Sequence, residues 1–138
     1  AGQPGVVVQP PTPHPGATIL VVDDEPAVRK IAARVLERGG WVVLQAPDAA
    51  GAFALVDRHG PPHLLLTDLT MPGLGGGALA RRLRERWPNL PIIFMSGFSV
   101  EELRRQGMDC AVDVLLQKPF APGELVAKVA AVLGLAGQ

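Results

Sequence analysis

Asp23-Asp24-Glu25, Asp68, Ser96-Gly97 and Lys118-Pro119 each stand at the end of a run of apolar residues. If a fold brings them together, several carboxylates face a single ammonium. Carboxylates ~4–6 Å apart repel one another by several kcal/mol at an effective dielectric of ~20, so either some are protonated or a cation binds among them. A hard divalent ion with oxygen ligands complements such a set, and Mg2+ takes one or two carboxylates together with phosphate oxygens of a substrate. The clusters hold no Cys or His, which makes zinc and copper poor matches. A plainer reading has Asp23 and Asp24 capping a following helix, since acidic residues favour helix N-termini. That accounts for an isolated acidic pair. It leaves Asp68, Ser96 and Lys118 with no reason to follow three further apolar runs.

The elements that must position these residues are visible as alternating patterns. Apolar runs of strand length cover Thr18–Val22, Trp41–Gln45, His63–Thr67, Pro91–Met95 and Val112–Gln117, rich in the branched residues that buried parallel strands use. Helix-period segments separate them. Val28, Ile31, Ala32, Val35 and Leu36 form one stripe, stopped by Gly39-Gly40. Asp48 caps a second helix carrying Ala52, Leu55 and Val56, closed by Gly60-Pro61-Pro62. Leu79, Leu83 and Trp87 mark a third that ends at Pro88. Ser99-Val-Glu-Glu102 is a capping box for a short fourth helix with Val100 and Leu103, broken by Gly107. Leu125, Val126, Val129, Ala130 and Leu133 make the fifth, with Pro122 near its first turn. Strand-helix repeated five times predicts a parallel sheet covered on both faces, with right-handed crossovers. Ligands of such sheets sit beyond the carboxyl ends of the strands, where all four polar clusters fall.

Those residues also carry a family resemblance. Val21-Val22-Asp23-Asp24-Glu25-Pro26, Leu66-Thr67-Asp68-Leu69-Thr70-Met71-Pro72-Gly73, Met95-Ser96-Gly97 and Gln117-Lys118-Pro119-Phe120 resemble the signature segments of response-regulator receiver domains. The spacings agree as well, with 44 residues from Asp24 to Asp68, 28 from there to Ser96 and 22 on to Lys118. The resemblance covers about residues 17–135. It implies a flavodoxin-like (βα)5 fold with strand order 2-1-3-4-5 and a Mg2+-dependent phosphoryl transfer from phosphohistidine onto Asp68. By the same resemblance Asp24 and Asp68 bind Mg2+ directly, Asp23 binds it through water, and the Thr70 carbonyl completes the protein ligands. Ser96, Gly97, Lys118 and Thr70 would surround the phosphoryl group, with Asp68, Lys118 and Ser96 as the catalytic set. Lys118-Pro119 stands where the family commonly has a cis peptide. Partners would be a histidine kinase or a histidine phosphotransfer domain.

The resemblance has departures. The chain contains no Tyr, and the usually aromatic position three before Lys118 is Leu115, so the Tyr/Thr form of the phosphorylation switch does not apply as usually drawn. Gly75 stands where the family often has a capping Asp, and Gly75-Gly76-Gly77 predicts a loose start to the third helix.

Composition bounds the rest. The chain has 138 residues with 13 Lys+Arg and 13 Asp+Glu, which predicts one domain and no nucleic-acid partner, since phosphate contacts need a basic excess. A single Cys, Cys110, excludes an internal disulfide framework and fits a reducing, cytoplasmic compartment; it reads as a packing residue. No apolar run reaches the ~18 residues of a membrane span, and no secretory leader pattern opens the chain. Residues 1–16 hold five of the 14 prolines and read as a Pro/Gly-rich linker or tail, 17–135 as the domain and 136–138 as a short tail. The Pro-rich leader into Ala17-Thr18-Ile19-Leu20 and the Leu115-Leu116-Gln117-Lys118-Pro119-Phe120 segment resemble the C-terminal receiver of a hybrid sensor histidine kinase, which is the expected setting; a free-standing regulator is the alternative. The rival class is a Mg2+-dependent phosphohydrolase. It lacks its second Asp here, since Glu25 follows Asp23 by two and Pro26 follows Asp24 by two. Gly73 to Gly77 has no Lys-Ser/Thr after it and is not a nucleotide loop, and an acidic pair after the first strand would repel a flavin phosphate. Arg81, Arg82, Arg84 and Arg86 read as a solvated helix face, His14, His59 and His63 lack ligand spacing, and Trp41 and Trp87 read as core or rim.

Overall fold

The structure, a computed structural model, describes residues 16–105 and 114–136. The leader up to Pro15, the helix break at Gly107, Cys110, the first two residues of the strand expected from Val112, and residues 137–138 lie outside the described residues. The alternation seen in the sequence becomes β1 (Thr18–Val22), α1 (Pro26–Arg38), β2 (Val42–Ala46), α2 (Ala49–His59), β3 (Leu64–Asp68), α3 (Gly76–Arg86), β4 (Ile92–Ser96), α4 (Val100–Arg105), β5 (Val114–Gln117) and α5 (Pro122–Ala136). The five strands are all parallel and lie in the order β2-β1-β3-β4-β5, the flavodoxin-like arrangement expected. Strands two to four start and end one residue later than their apolar runs, because Asp68 and Ser96 themselves still pair in the sheet.

Period-two side chains split the core into two layers. Ile19, Val21, Leu64, Leu66, Ile93, Met95 and Leu116 face α1 and α5, meeting Ala32, Leu36, Leu125, Val129 and Leu133. Leu20, Val22, Leu65, Ile92 and Phe94 face the other way, onto Ala52 and Val56 of α2, Leu79 and Leu83 of α3 and Leu103 of α4. Each fully buried Leu or Ile removes enough apolar surface from water to contribute about 1.5–3 kcal/mol before entropy is counted. Trp41 is buried in the first layer, while Trp87 ends α3 at the rim with Arg86 stacked over its ring at 4.4 Å.

Local signals are realised in detail. Asp48 accepts from the Gly51 amide at 2.8 Å and caps α2. Ser99 and Glu102 exchange reciprocal bonds of 3.1 Å at the start of α4, which holds the Glu102 carboxyl below its usual range. Two apolar expectations fail. Ile31 is 59% exposed and Val100 36% exposed, because α1 buries its Ala32-Ala33-Leu36 side and α4 contributes only Leu103 to the core. His63, which lacks ligand spacing, accepts a 2.9 Å bond from the Thr18 amide at Nδ1 and ties the start of β1 to the β3 entry. Among the described residues no helix is long and apolar enough to cross a membrane.

Candidate functional site

Parallel register aligns the carboxyl ends of four strands to within a residue or two. Val22 pairs with Thr67, Asp68 with Met95, and Ser96 with Gln117. Asp23, Asp68, Ser96 and Lys118 are therefore delivered to one edge although the first and last stand 95 positions apart in the chain. The Lys118–Pro119 peptide is cis, as the resemblance implied.

Asp23, Asp24 and Asp68 each offer a carboxylate oxygen, and these oxygens all lie within 4.8 Å of one another. Asp23 is fully buried, Asp68 is 7% exposed, and Asp24 is open to solvent. Lys118 Nζ donates to Asp23 Oδ2 at 2.9 Å and lies 3.4 Å from Asp68 Oδ2 and 3.8 Å from Glu25 Oε1. The Glu25 amide donates to the other Asp23 oxygen at 2.9 Å, and the Arg29 guanidinium to the Asp23 carbonyl at 2.8 Å.

One ammonium does not balance these carboxylates. Burial pushes Asp68 up to about 6 from 3.8; Lys118 opposes the shift, the neighbouring Asp23 adds to it, and a hydrogen bond from the Thr70 backbone works against it. Burial works to lower Lys118, yet its hydrogen bonds and charge contacts with Asp23 and Asp68 prevail and hold the ammonium above its usual range. An all-oxygen, doubly buried and once-exposed donor set with excess negative charge suits a hard divalent cation that keeps part of its water shell. Mg2+ fits these residues.

Ser96 is 2% exposed, and its Oγ accepts from the Phe98 amide at 2.9 Å, which leaves the hydroxyl proton free to donate. The Ser96 carbonyl accepts from the Lys118 amide at 2.7 Å, so these two predicted site residues are joined through backbone. Gly97 opens onto free space, and Thr70 is exposed beside Asp68.

Gly75 caps α3 with no side-chain hydrogen bond, as expected, and the next glycine has a steric role besides. Gly76 is buried at the start of α3 and donates its amide to the Leu69 carbonyl at 3.0 Å. A Cβ on Gly76 would clash with the Asp68 carbonyl oxygen, so the helix start is pressed against the backbone of the central carboxylate. Thr67 Oγ1 donates to that same carbonyl at 3.0 Å. The sequence hint for Gly76 was the run of three glycines, which reads equally as looseness; for Arg29 it was a positive charge in the first turn of a helix, the end where charge complementarity favours an acid.

Beside the cluster, Val28 and Ile31 of α1 and Pro119 and Phe120 after β5 line an apolar groove of about 440 Å³ between Glu25 and Lys118. Leu115, in the position noted as usually aromatic, packs half-buried against the layer of α2, α3 and α4.

A family model described as Response regulator receiver domain matches residues 19–130. The Phosphate regulon transcriptional regulatory protein PhoB of Pseudomonas aeruginosa is 42% identical over 125 residues, covering 88% of this chain and 54% of that protein. Response regulator MprA of Mycobacterium leprae is 39% identical over 115 residues, covering 83% of this chain and 50% of that protein. The chain thus spans about half the length of the curated relatives it matches. Among solved structures, the receiver domain from the hybrid histidine kinase CckA superposes with a TM-score of 0.70 at 32% identity, covering 84% of this chain and 98% of that one. NtrX from Brucella abortus superposes with a TM-score of 0.79 at 29% identity, covering 88% of this chain and 28% of that one.

Proposed function

Since the chain belongs to the response regulator receiver domain family, we propose that it accepts a phosphoryl group on Asp68 from a phosphohistidine of a histidine kinase or histidine phosphotransfer partner. One observation carries this reading: three carboxylate oxygens within 4.8 Å, with Lys118 pinned between Asp23 and Asp68.

With a pKa of about 6, Asp68 is mostly ionised at neutral pH and ready as a nucleophile. One of its oxygens attacks phosphorus. The P–O bond forms as the P–N bond breaks, and the departing imidazole nitrogen keeps that electron pair and takes a proton from water. Lys118, 3.4 Å from the attacking carboxylate, meets the charge that builds on the phosphoryl oxygens, and Ser96 donates its free proton to the same group. The Gly97 and Thr70 backbones complete the surround. Asp23, Asp24, Asp68 and the Thr70 carbonyl would hold Mg2+, which when bound supplies further neutralisation of phosphoryl charge. Both Asp23 oxygens already accept hydrogen bonds, which favours Asp24 and Asp68 as the direct ligands.

The apolar groove between Glu25 and Lys118 supports docking of a protein donor over α1 and the turn after β5. In this reading residues 17–135 are the working unit, with 1–16 as a tether and 136–138 as a tail, acting in the cytoplasm. Likeness to PhoB and MprA favours the setting of a response regulator, while the CckA likeness keeps the hybrid-kinase receiver as the second setting.

Incubating the chain with Mg2+ and a small phosphoramidate, and reading intact mass, tests the core reading. A single phosphoryl added per chain, removed by chelation before mixing, is expected. Steady turnover of the phosphoramidate with no mass gain would point to the phosphohydrolase instead. Ile31→Lys, which charges the groove at an already exposed position, is expected to slow transfer from a phosphorylated protein donor about tenfold while leaving uptake from the phosphoramidate unchanged. Equal slowing of both would remove the groove from donor docking.

A further inference from the structure

We infer that Arg29 is a positioning residue for the divalent cation: it orients the acidic turn after β1 without contacting the ion. The inference rests on the reading of Asp23, Asp24 and Asp68 as a Mg2+ site. Arg29 stands in the first turn of α1, which carries no acidic residue and where the helix dipole disfavours a cation. What holds it there is a 2.8 Å bond from Nη1 to the Asp23 carbonyl, just beyond the β1 ladder. The Glu25 amide and Lys118 Nζ take the two Asp23 side-chain oxygens, each at 2.9 Å. Asp23 is thereby held at its carbonyl and at both carboxylate oxygens. The carbonyl bond has a consequence for the next residue, because it sets the plane of the Asp23–Asp24 peptide. Asp24 is exposed, and among the described residues its side chain has no hydrogen bond that would direct it otherwise. Its direction toward Asp68 therefore depends on the turn that Arg29 closes.

Charge and positioning make opposite predictions. A guanidinium acting through its charge alone repels Mg2+, so its removal tightens binding. A guanidinium acting by orienting the ligands loosens binding when it is lost. Groups that orient metal ligands typically cost ten- to a hundredfold in affinity when removed. The experiment is a Mg2+ titration of the whole chain, followed by the amide NMR shifts of Asp24 and Asp68, with no phosphoryl donor present. Arg29→Ala is expected to raise the half-saturating Mg2+ concentration about tenfold. Arg29→Lys, which keeps the charge and one donor of similar reach, is expected to stay within about threefold of the native chain. The native chain titrating while Arg29→Ala binds equally or more tightly would overturn the inference, as would a folded Arg29→Lys no better than Arg29→Ala. A native chain whose shifts ignore Mg2+ would instead overturn the metal reading itself, and the role of Arg29 with it.

Discussion

Asp68→Asn is expected to end phosphoryl uptake completely and, in the same variant, to make the metal-free domain more stable at neutral pH. The first effect follows from loss of the nucleophilic oxygen. The second follows from the pKa of about 6 in the fold against the ordinary 3.8. Between those two values the folded state holds more protons than the unfolded state, so stability falls as pH rises through the window. Above it the ionised, buried Asp68 beside Asp23 weakens the fold by an amount bounded near ~3 kcal/mol, at about 1.4 kcal/mol per unit. Asn keeps the shape, removes the charge and gives up a charge-assisted contact with Lys118, so a net gain on the order of 1 kcal/mol is expected. Urea unfolding in the presence of a chelator checks it. The variant should lead the native chain most at pH 7, and the gap should close as pH falls below about 4. A gap absent at pH 7, or unchanged at low pH, would show that Asp68 is not held at a cost.

Gly76→Ala carries the largest expected loss of stability. The added methyl would clash with the Asp68 carbonyl oxygen and lie 3.0 Å from its carbon and 3.1 Å from Leu69 Cα. All three are backbone atoms with no rotamer to yield, so the start of α3 must move away and its bond to the Leu69 carbonyl must stretch. A destabilisation of roughly 3 kcal/mol or more is expected, beyond ordinary overpacking because the strand end moves too. Gly77→Ala is the matched control. Its Cβ would find only Leu69 Cδ1 at 3.9 Å, so it is expected to be neutral or stabilising by up to ~1 kcal/mol from helix propensity. Thermal unfolding of the two variants separates close approach from loss of flexibility. Equal behaviour of Gly76→Ala and Gly77→Ala would refute the close approach.

Much of this architecture was legible because local and global signals agree. The Asp48 cap and the Ser99–Glu102 box are written in adjacent residues and form as read. The division of strands from helices follows from periodicity, which a chain cannot disguise. Ile31 was misplaced because five apolar residues at helical spacing span a wider arc than α1 buries once Ala32 and Ala33 face the sheet. His63 was missed because a ring nitrogen accepting a backbone amide 45 residues away leaves no mark in its own neighbourhood. The steric role of Gly76 was missed because a glycine needed for space looks the same in sequence as one needed for freedom.

For the site, residue chemistry alone supplied the candidate donor set: an acidic pair, a lone Asp, a hydroxyl and an ammonium, each closing an apolar run, suit a hard cation and make zinc and copper poor matches. The tertiary structure decided how that set meets. Strand order and parallel register bring Lys118 within 2.9 Å of Asp23, bury Asp23 and Asp68 while leaving Asp24 in water, and set α3 hard against the Asp68 carbonyl. Distances and dielectric govern charge energies, and neither exists until the strands are paired.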